Sequence, residues 1–252
     1  MRILIAIPVY NEAKYVGHVI DKIKSIHPDV LVVDDGSTDG TGEYLAGRTD
    51  LQVIRHPRNS GYGSSIIDAF KFADERGYDW VITIDCDEQH EPERIPTFIR
   101  EIKKDKFDVI SGSRYLAASG GTDVPPADRQ QINRIITEKL NGLFGWKLTD
   151  AFCGYKAHRV SAMAKLKLDE AGYAFPLQFW PQVHAAGLRV KEIPVKLIYN
   201  DPTRHFGGML DDAKRRLEHY LSVLQTELHK IGFEQGASAE MTPAGHTCCC
   251  GK

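Results

Sequence analysis

Residues Ile3 to Glu12, ILIAIPVYNE, decide the fold. The run from Ile3 to Val9 is too apolar for a strand with one wet face, which predicts a parallel strand covered on both sides. From Lys14 to Ile26 the apolar positions Val16, Val19, Ile20 and Ile23 fall at helical spacing. A second apolar run, Val30 to Val33, follows and passes into LVVDDGSTDGT, Leu31 to Thr41. Strand, helix and strand make a βαβ unit. Both strands end in polar residues at the carboxyl edge, where open α/β sheets bind ligands. The expected fold class is α/β, with a mostly parallel central sheet flanked by helices.

Composition suits one domain of that kind. The chain has 252 residues, 42% of them hydrophobic, enough to bury a large core. A net charge of −2 gives no sign of a nucleic-acid partner. No apolar run reaches the roughly 18 residues of a membrane helix, and the N-terminus enters a strand without signal-peptide character, so a cytoplasmic protein is expected. Of five cysteines, Cys86 and Cys153 lie within polar motifs and Cys248, Cys249 and Cys250 crowd the end, a distribution that reads as no disulfide framework.

A third apolar strand begins the segment VITIDCDEQHEPE, Val81 to Glu93. If it stays extended, alternate side chains point the same way, and Asp85, Asp87 and Gln89 offer three oxygens to one hard cation such as Mg²⁺ or Mn²⁺. The alternative is a solvated turn. After the second strand, Asp34 and Asp35 suit ribose hydroxyls or the donors of a base, while Asp39 and Thr41 can serve as helix caps ahead of Tyr44 and Leu45. Gly61 and Gly63 remove side chains where backbone must approach a ligand or simply turn a corner. The helix expected after them runs from Ser64 to Phe72, with Ile66, Ile67, Ala69 and Phe70 inward.

Anion recognition falls to arginine. Arg114 follows the strand Phe107 to Ile110, Arg129 and Arg134 open a helix, and Arg204 with His205 precedes Gly207 and Gly208. Guanidinium forks match phosphate oxygens; solvated surface is the alternative, and the preferred one for Arg134. Asp150, in LTDAFCGYKA, reads either as a general base within reach of an attacking hydroxyl or as a loop-positioning carboxylate.

The motifs PVYNE (Pro8 to Glu12), VVDDGSTDGT (Val32 to Thr41), RNSGYGSSIIDAF (Arg58 to Phe70), DCDEQHEPE (Asp85 to Glu93), SGSRY (Ser111 to Tyr115) and TDAFCGYKA (Thr149 to Ala157) occur together in this order. In this the chain resembles the inverting family 2 glycosyltransferases of the GT-A fold, in their dolichol-phosphate mannose synthase-like, polyprenyl-phosphate branch, over about residues 1 to 208. The resemblance implies a metal-dependent hexosyltransferase that takes a nucleotide-sugar donor of the GDP-mannose or UDP-glucose type. Pro8, Tyr10, Glu12, Asp35, Asn59, Gly61, Asp85, Cys86, Asp87 and Arg204 would then meet the donor. Arg114 and Arg129 would hold the phosphate of a polyprenyl phosphate acceptor, with Asn133 in place of a serine that helps them. Asp85, Asp87 and Gln89 would bind the metal, His90 would stand behind it, and Asp150 would act in catalysis beside Asp85 and Asp87. Where the family closes its late loop with serine and lysine, this chain has Met209 and Leu210. An acceptor hydroxyl on a glycan or small metabolite is the alternative, and a nucleotide-sugar-binding protein without turnover is a further one.

The expected organisation is a catalytic domain over 1–208, an amphipathic helix over 209–232 and a disordered cysteine-containing tail over 233–252. Leu210, Ala213, Leu217, Leu221, Leu224 and Leu228 form the stripe of that helix. Basic residues beside the stripe leave peripheral membrane contact open. The aromatic stretch from Ala171 to Ala186 reads as core packing or as part of an acceptor groove.

Overall fold

A computed structural model describes residues 1–116, 123–199 and 206–233. The first half runs β1 (Ile3–Val9), α1 (Val16–Ile26), β2 (Val30–Asp34), α2 (Thr41–Ala46), β3 (Gln52–Arg55), α3 (Tyr62–Glu75) and β4 (Trp80–Thr83). It continues with α4 (Ile95–Ile102), β5 (Val109–Ser113), α5 (Ala127–Phe144), β6 (Lys156–Arg159), α6 (Val160–Met163), α7 (Phe175–Ala185), β7 (Val190–Pro194) and α8 (Ala213–Lys230). Among the described residues the strands form one sheet in the order β3-β2-β1-β4-β6-β5-β7. Every pairing is parallel except those of β6, which runs antiparallel to both β4 and β5. The mostly parallel α/β sheet read from the sequence is the one observed.

The apolar run of β1 divides between the two faces of the sheet because successive side chains point to opposite sides. Ile3, Ile5, Ile7 and Val9 pack with Val19, Ile20 and Ile23 of α1 and Phe98 of α4. Leu4 and Ala6 face the other way, towards Ile66 and Phe70 of α3, Ile136 of α5 and Phe179 and Trp180 of α7. Full burial of each such aliphatic or aromatic side chain stabilises the fold by about 1.5–3 kcal/mol. The inward set of α3 is Ile66, Ala69 and Phe70, while Ile67 is only partly buried against the same core.

The last helix starts later than the sequence pattern suggests. Gly208–Asp211 forms a 3₁₀ turn, and the Asp212 carboxylate accepts the Arg215 N–H at 2.8 Å, capping α8 at Ala213. Its buried face is centred on Tyr220, Leu224 and Leu228, with Leu217 and Leu221 at its flank, because it packs on α7 and α5. The buried Glu227 carboxylate accepts from the side-chain amides of Gln178 (3.1 Å) and Gln182 (2.7 Å) of α7. No helix among the described residues is long and apolar enough to cross a membrane. The tail over 234–252, with Cys248 to Cys250, lies outside the described residues.

Candidate functional site

The carboxyl ends of β1, β2, β4 and β5, together with the entry to β6, surround a cavity of about 870 Å³. Pro8, Tyr10 and Glu12 reach it from the end of β1, Asp35 from β2, and Asn59 and Gly61 from the loop before α3. Asp85, Cys86, Asp87 and Gln89 line it after β4, Arg114 after β5, and Arg129 and Asn133 from α5. Arg204 lies outside the described residues. Arg134 is exposed and away from the cavity wall.

On the first wall the carboxylates are tied to main-chain N–H groups. Asp35 Oδ1 accepts from Ser60 N at 2.7 Å and Oδ2 from Gly61 N at 2.8 Å, while the His56 ring meets Oδ1 at 2.6 Å. Asp35 therefore anchors the Asn59–Gly61 loop as well as facing the cavity. Asp39 accepts from Ala13 N at 3.0 Å and Thr41 N at 3.1 Å, which joins the end of β1 to the start of α2. Gly61 has φ +101°, and a Cβ there would run into the Ala171 carbonyl. Gly63, in contrast, has no positive φ and turns no corner. It lies in the first turn of α3, where a Cβ would collide with the Glu170 carbonyl, so its role is close packing of helix on loop.

The acidic segment is a turn rather than an extended strand. β4 stops at Thr83, Glu88 takes φ +58°, and Asp87 Oδ1 accepts the Gln89 N–H at 3.0 Å. Alternation along a strand is thus not what brings Asp85, Asp87 and Gln89 to one wall; the turn does. Asp85 Oδ2 meets His90 Nε2 at 3.2 Å, whereas its Oδ1 is buried with no hydrogen-bond partner among the described residues. Burial opposes ionisation of Asp85, but the His90 hydrogen bond and the charges of Arg114 and Lys156 hold its carboxyl below the usual range. A Cβ on Gly154 would press on this carboxylate, so the glycine makes room for it. Among the described residues no three His, Cys, Asp or Glu side chains already gather as metal ligands. An ionised carboxylate with an unused oxygen, beside a second carboxylate and an amide oxygen, nevertheless fits a hard divalent cation that keeps water and phosphate ligands.

The opposite wall is centred on an ion pair. Asp150, completely buried, does not line the cavity but lies behind Arg114. Its Oδ2 accepts from Arg114 Nε at 2.7 Å, and its Oδ1 accepts from Arg114 Nη2 at 3.0 Å and from Asn133 Nδ2 at 2.8 Å. Burial would raise the Asp150 carboxyl, but the Arg114 guanidinium and these hydrogen bonds outweigh it and hold it at about 2. Asn133 is also committed, since its Oδ1 accepts from Thr137 Oγ1 at 2.9 Å. Arg129 lies over the rings of Phe206 (4.6 Å) and Tyr199 (5.6 Å). Cys153 is fully buried and its thiol is pushed up to about 12 by burial, which leaves it no part as a nucleophile.

Three contributors escape the sequence reading. Glu192, on β7, accepts from Thr149 N at 2.9 Å and Asp150 N at 3.0 Å and so sets the backbone of the Asp150 loop. Lys156 is only 7% exposed, borders the cavity and donates to the Cys153 carbonyl; burial lowers its pKa. A lysine within the TDAFCGYKA motif, at the first position of β6, is the signal that could have found it. His56 gives no such signal, because its partners come from β2 and α3.

Residues 4–167 match the glycosyl transferase family 2 model. The chain belongs to that family. It is 30% identical over 225 residues to the undecaprenyl-phosphate mannosyltransferase of Micrococcus luteus, covering 84% of this chain and 91% of that protein. It is also 30% identical over 205 residues to the polyprenol monophosphomannose synthase of Mycolicibacterium smegmatis, covering 77% and 76% of the two chains. Among solved structures, glucosyl-3-phosphoglycerate synthase from Mycobacterium tuberculosis in complex with Mg²⁺ and UDP superimposes with a TM-score of 0.69. That match spans 93% of this chain and 81% of the other at 17% identity. The family 2 glycosyltransferase is therefore an enzyme with the GT-A fold.

Proposed function

We propose that this glycosyltransferase moves a hexose from a nucleoside diphosphate sugar to the phosphate of a polyprenyl phosphate, with inversion at the anomeric carbon. The observation that carries the reading is the state of Asp150. A general base must reach the attacking oxygen and hold a proton. Asp150 is off the cavity wall, bonded to Arg114 and Asn133 and held at about 2. A phosphate acceptor is already anionic near neutral pH and needs no base. The acceptor wall offers it Arg114, whose Nη1 lies outside the Asp150 pair, and Arg129. The two prenyl-phosphate mannosyltransferases among the relatives support the same acceptor class and favour mannose as the sugar.

On the donor side, Asp35 and the Asn59–Gly61 loop would receive the nucleoside, and Asp85, Asp87 and Gln89 would hold Mg²⁺ or Mn²⁺. When bound, the cation supplies neutralisation of the departing diphosphate. His90 orients Asp85 through the 3.2 Å contact. The acceptor oxygen, presented by Arg114 and Arg129, attacks from the face opposite the leaving group, so a single displacement inverts the configuration. Peripheral contact with a membrane would bring the enzyme to such an acceptor.

The test is Arg129→Ala. Losing a hydrogen bond to a charged phosphate costs about 1.5–3 kcal/mol, so the KM for polyprenyl phosphate should rise roughly ten- to a hundredfold while metal-dependent donor hydrolysis stays unchanged. Activity on a neutral glycan that vanishes in Asp150→Asn would replace the lipid-phosphate reading with a hydroxyl acceptor.

A further inference from the structure

His56 follows β3, and its backbone N–H donates to the Asp34 carbonyl at 2.9 Å. The residue is 8% exposed and its ring sits between two carboxylates, with Nδ1 2.6 Å from Asp35 Oδ1 and Nε2 3.1 Å from Asp68 Oδ2. A neutral imidazole has one N–H and one lone pair, so it would set that lone pair against one of the two carboxylates. Only the imidazolium donates to both.

The charged surroundings come from three elements and a loop. Asp35 reaches the ring from the end of β2 and Asp68 from α3. Lys71, on the same helix, donates to the other Asp68 oxygen at 3.0 Å. Arg55, immediately before His56, turns instead to Asp34 at 3.2 Å, and Arg58 in the following loop is exposed. The Asp35 carboxylate that His56 grips also accepts the N–H groups of Ser60 and Gly61, so its orientation sets the loop that presents Asn59 to the cavity.

We propose that His56 is a positioning residue for the donor: as an imidazolium it fixes Asp35 and the Asn59–Gly61 loop, and donor affinity falls when the ring loses its proton. The proposal rests on assigning this wall to the donor. After deprotonation the remaining proton serves Asp35, and the Nε2 lone pair repels Asp68. That side chain is 34% exposed and already paired with Lys71, so it can swing away. The ring then keeps one anchor instead of two, and the loop loosens.

The experiment is calorimetric binding of UDP and of GDP to the full chain without metal, from about pH 5.5 to about pH 8.5. Wild type is compared with His56→Asn, whose amide donates to Asp35 from the Nδ1 position but does not titrate. Titration of the nucleotide phosphates is common to both proteins and cancels in the ratio of their affinities. The expected result is a fall of about tenfold in wild type relative to His56→Asn, the size of one hydrogen bond to a charged group. Asp68→Asn, on the half-exposed face of α3, should keep the low-pH affinity and lose it at lower pH than wild type. Identical pH dependence in wild type and His56→Asn overturns the role of His56, even if the variant binds more weakly throughout. Failure of wild type to bind either nucleotide at any pH, with or without Mg²⁺, overturns the donor assignment itself, and the two failures are thereby told apart.

Discussion

Beside the cavity three carboxylates are held by main-chain N–H groups, whereas the Asp150 carboxylate is held by a side-chain network drawn from separate elements. Asp35, Asp39 and Asp87 each accept from backbone in the loops that carry the site. Asp150 depends on Arg114 after β5 and Asn133 on α5, and its loop depends on Glu192 on β7. A carboxylate with backbone donors keeps part of its support when a neighbouring side chain changes. A charge held by another charge is lost with its partner, because the survivor is left buried and uncompensated.

The sharpest way to break this contrast is at the acidic turn. Asp87→Ala should remove a metal-binding oxygen and lower transfer about a thousandfold, of the order seen when a preorganised charge contact is deleted, while leaving the melting temperature close to wild type. Far-ultraviolet circular dichroism and a turnover assay measure both, and full metal-dependent turnover would dismiss the assignment of the acidic turn.

The Asp150 network should respond in stability instead. Asp150→Ala leaves Arg114 without its counter-charge and should cost about 3 kcal/mol in denaturant unfolding. The Asp150 carboxyl is lowered from 3.8 to about 2, so it binds fewer protons when folded than when unfolded. Its contribution, about 2 kcal/mol, is therefore complete above about pH 4 and disappears as pH falls towards about pH 2. Wild type should lose stability more steeply than Asp150→Asn through that window, and parallel acid-unfolding curves would mean that the pair is not formed.

The smallest effect belongs to Arg134. It is exposed on α5 and off the cavity wall, so Arg134→Ala should leave the acceptor KM within about twofold, as surface changes usually do. A rise comparable to that of Arg129→Ala would extend the acceptor wall along the helix.

The same contrast explains what could be read from the sequence. The βαβ start was legible because the apolar run of β1 and the periodicity of α1 are local patterns, and both appear in the fold. Asp85, Asp87 and Gln89 could be singled out together, but the reason offered, an extended strand, was replaced by a turn at Glu88, because side-chain spacing does not reveal a positive φ. Arg114 and Asp150 were visible as polar residues in motifs, and Asn133 only through the family resemblance. Their mutual bonds were not, since the partners lie 36 and 17 positions apart and meet only when β5, α5 and the loop before β6 assemble. For the same reason Glu192 and His56 carried no readable signal.

The reversed direction of β6 has an architectural consequence. β5 and β6 are neighbours, with Ser111 opposite Lys156, so the chain departs the sheet at Arg114 and re-enters it beside the point of departure. Everything between, including α5 and the Asp150 loop, is an insert with adjacent ends. The entropy of closing such an insert grows only slowly with its length, each doubling costing about 0.6 kcal/mol. If the proposed reading holds, exchanging this segment with Gly154 retained would alter acceptor preference while β1, β2 and β4 stay in place.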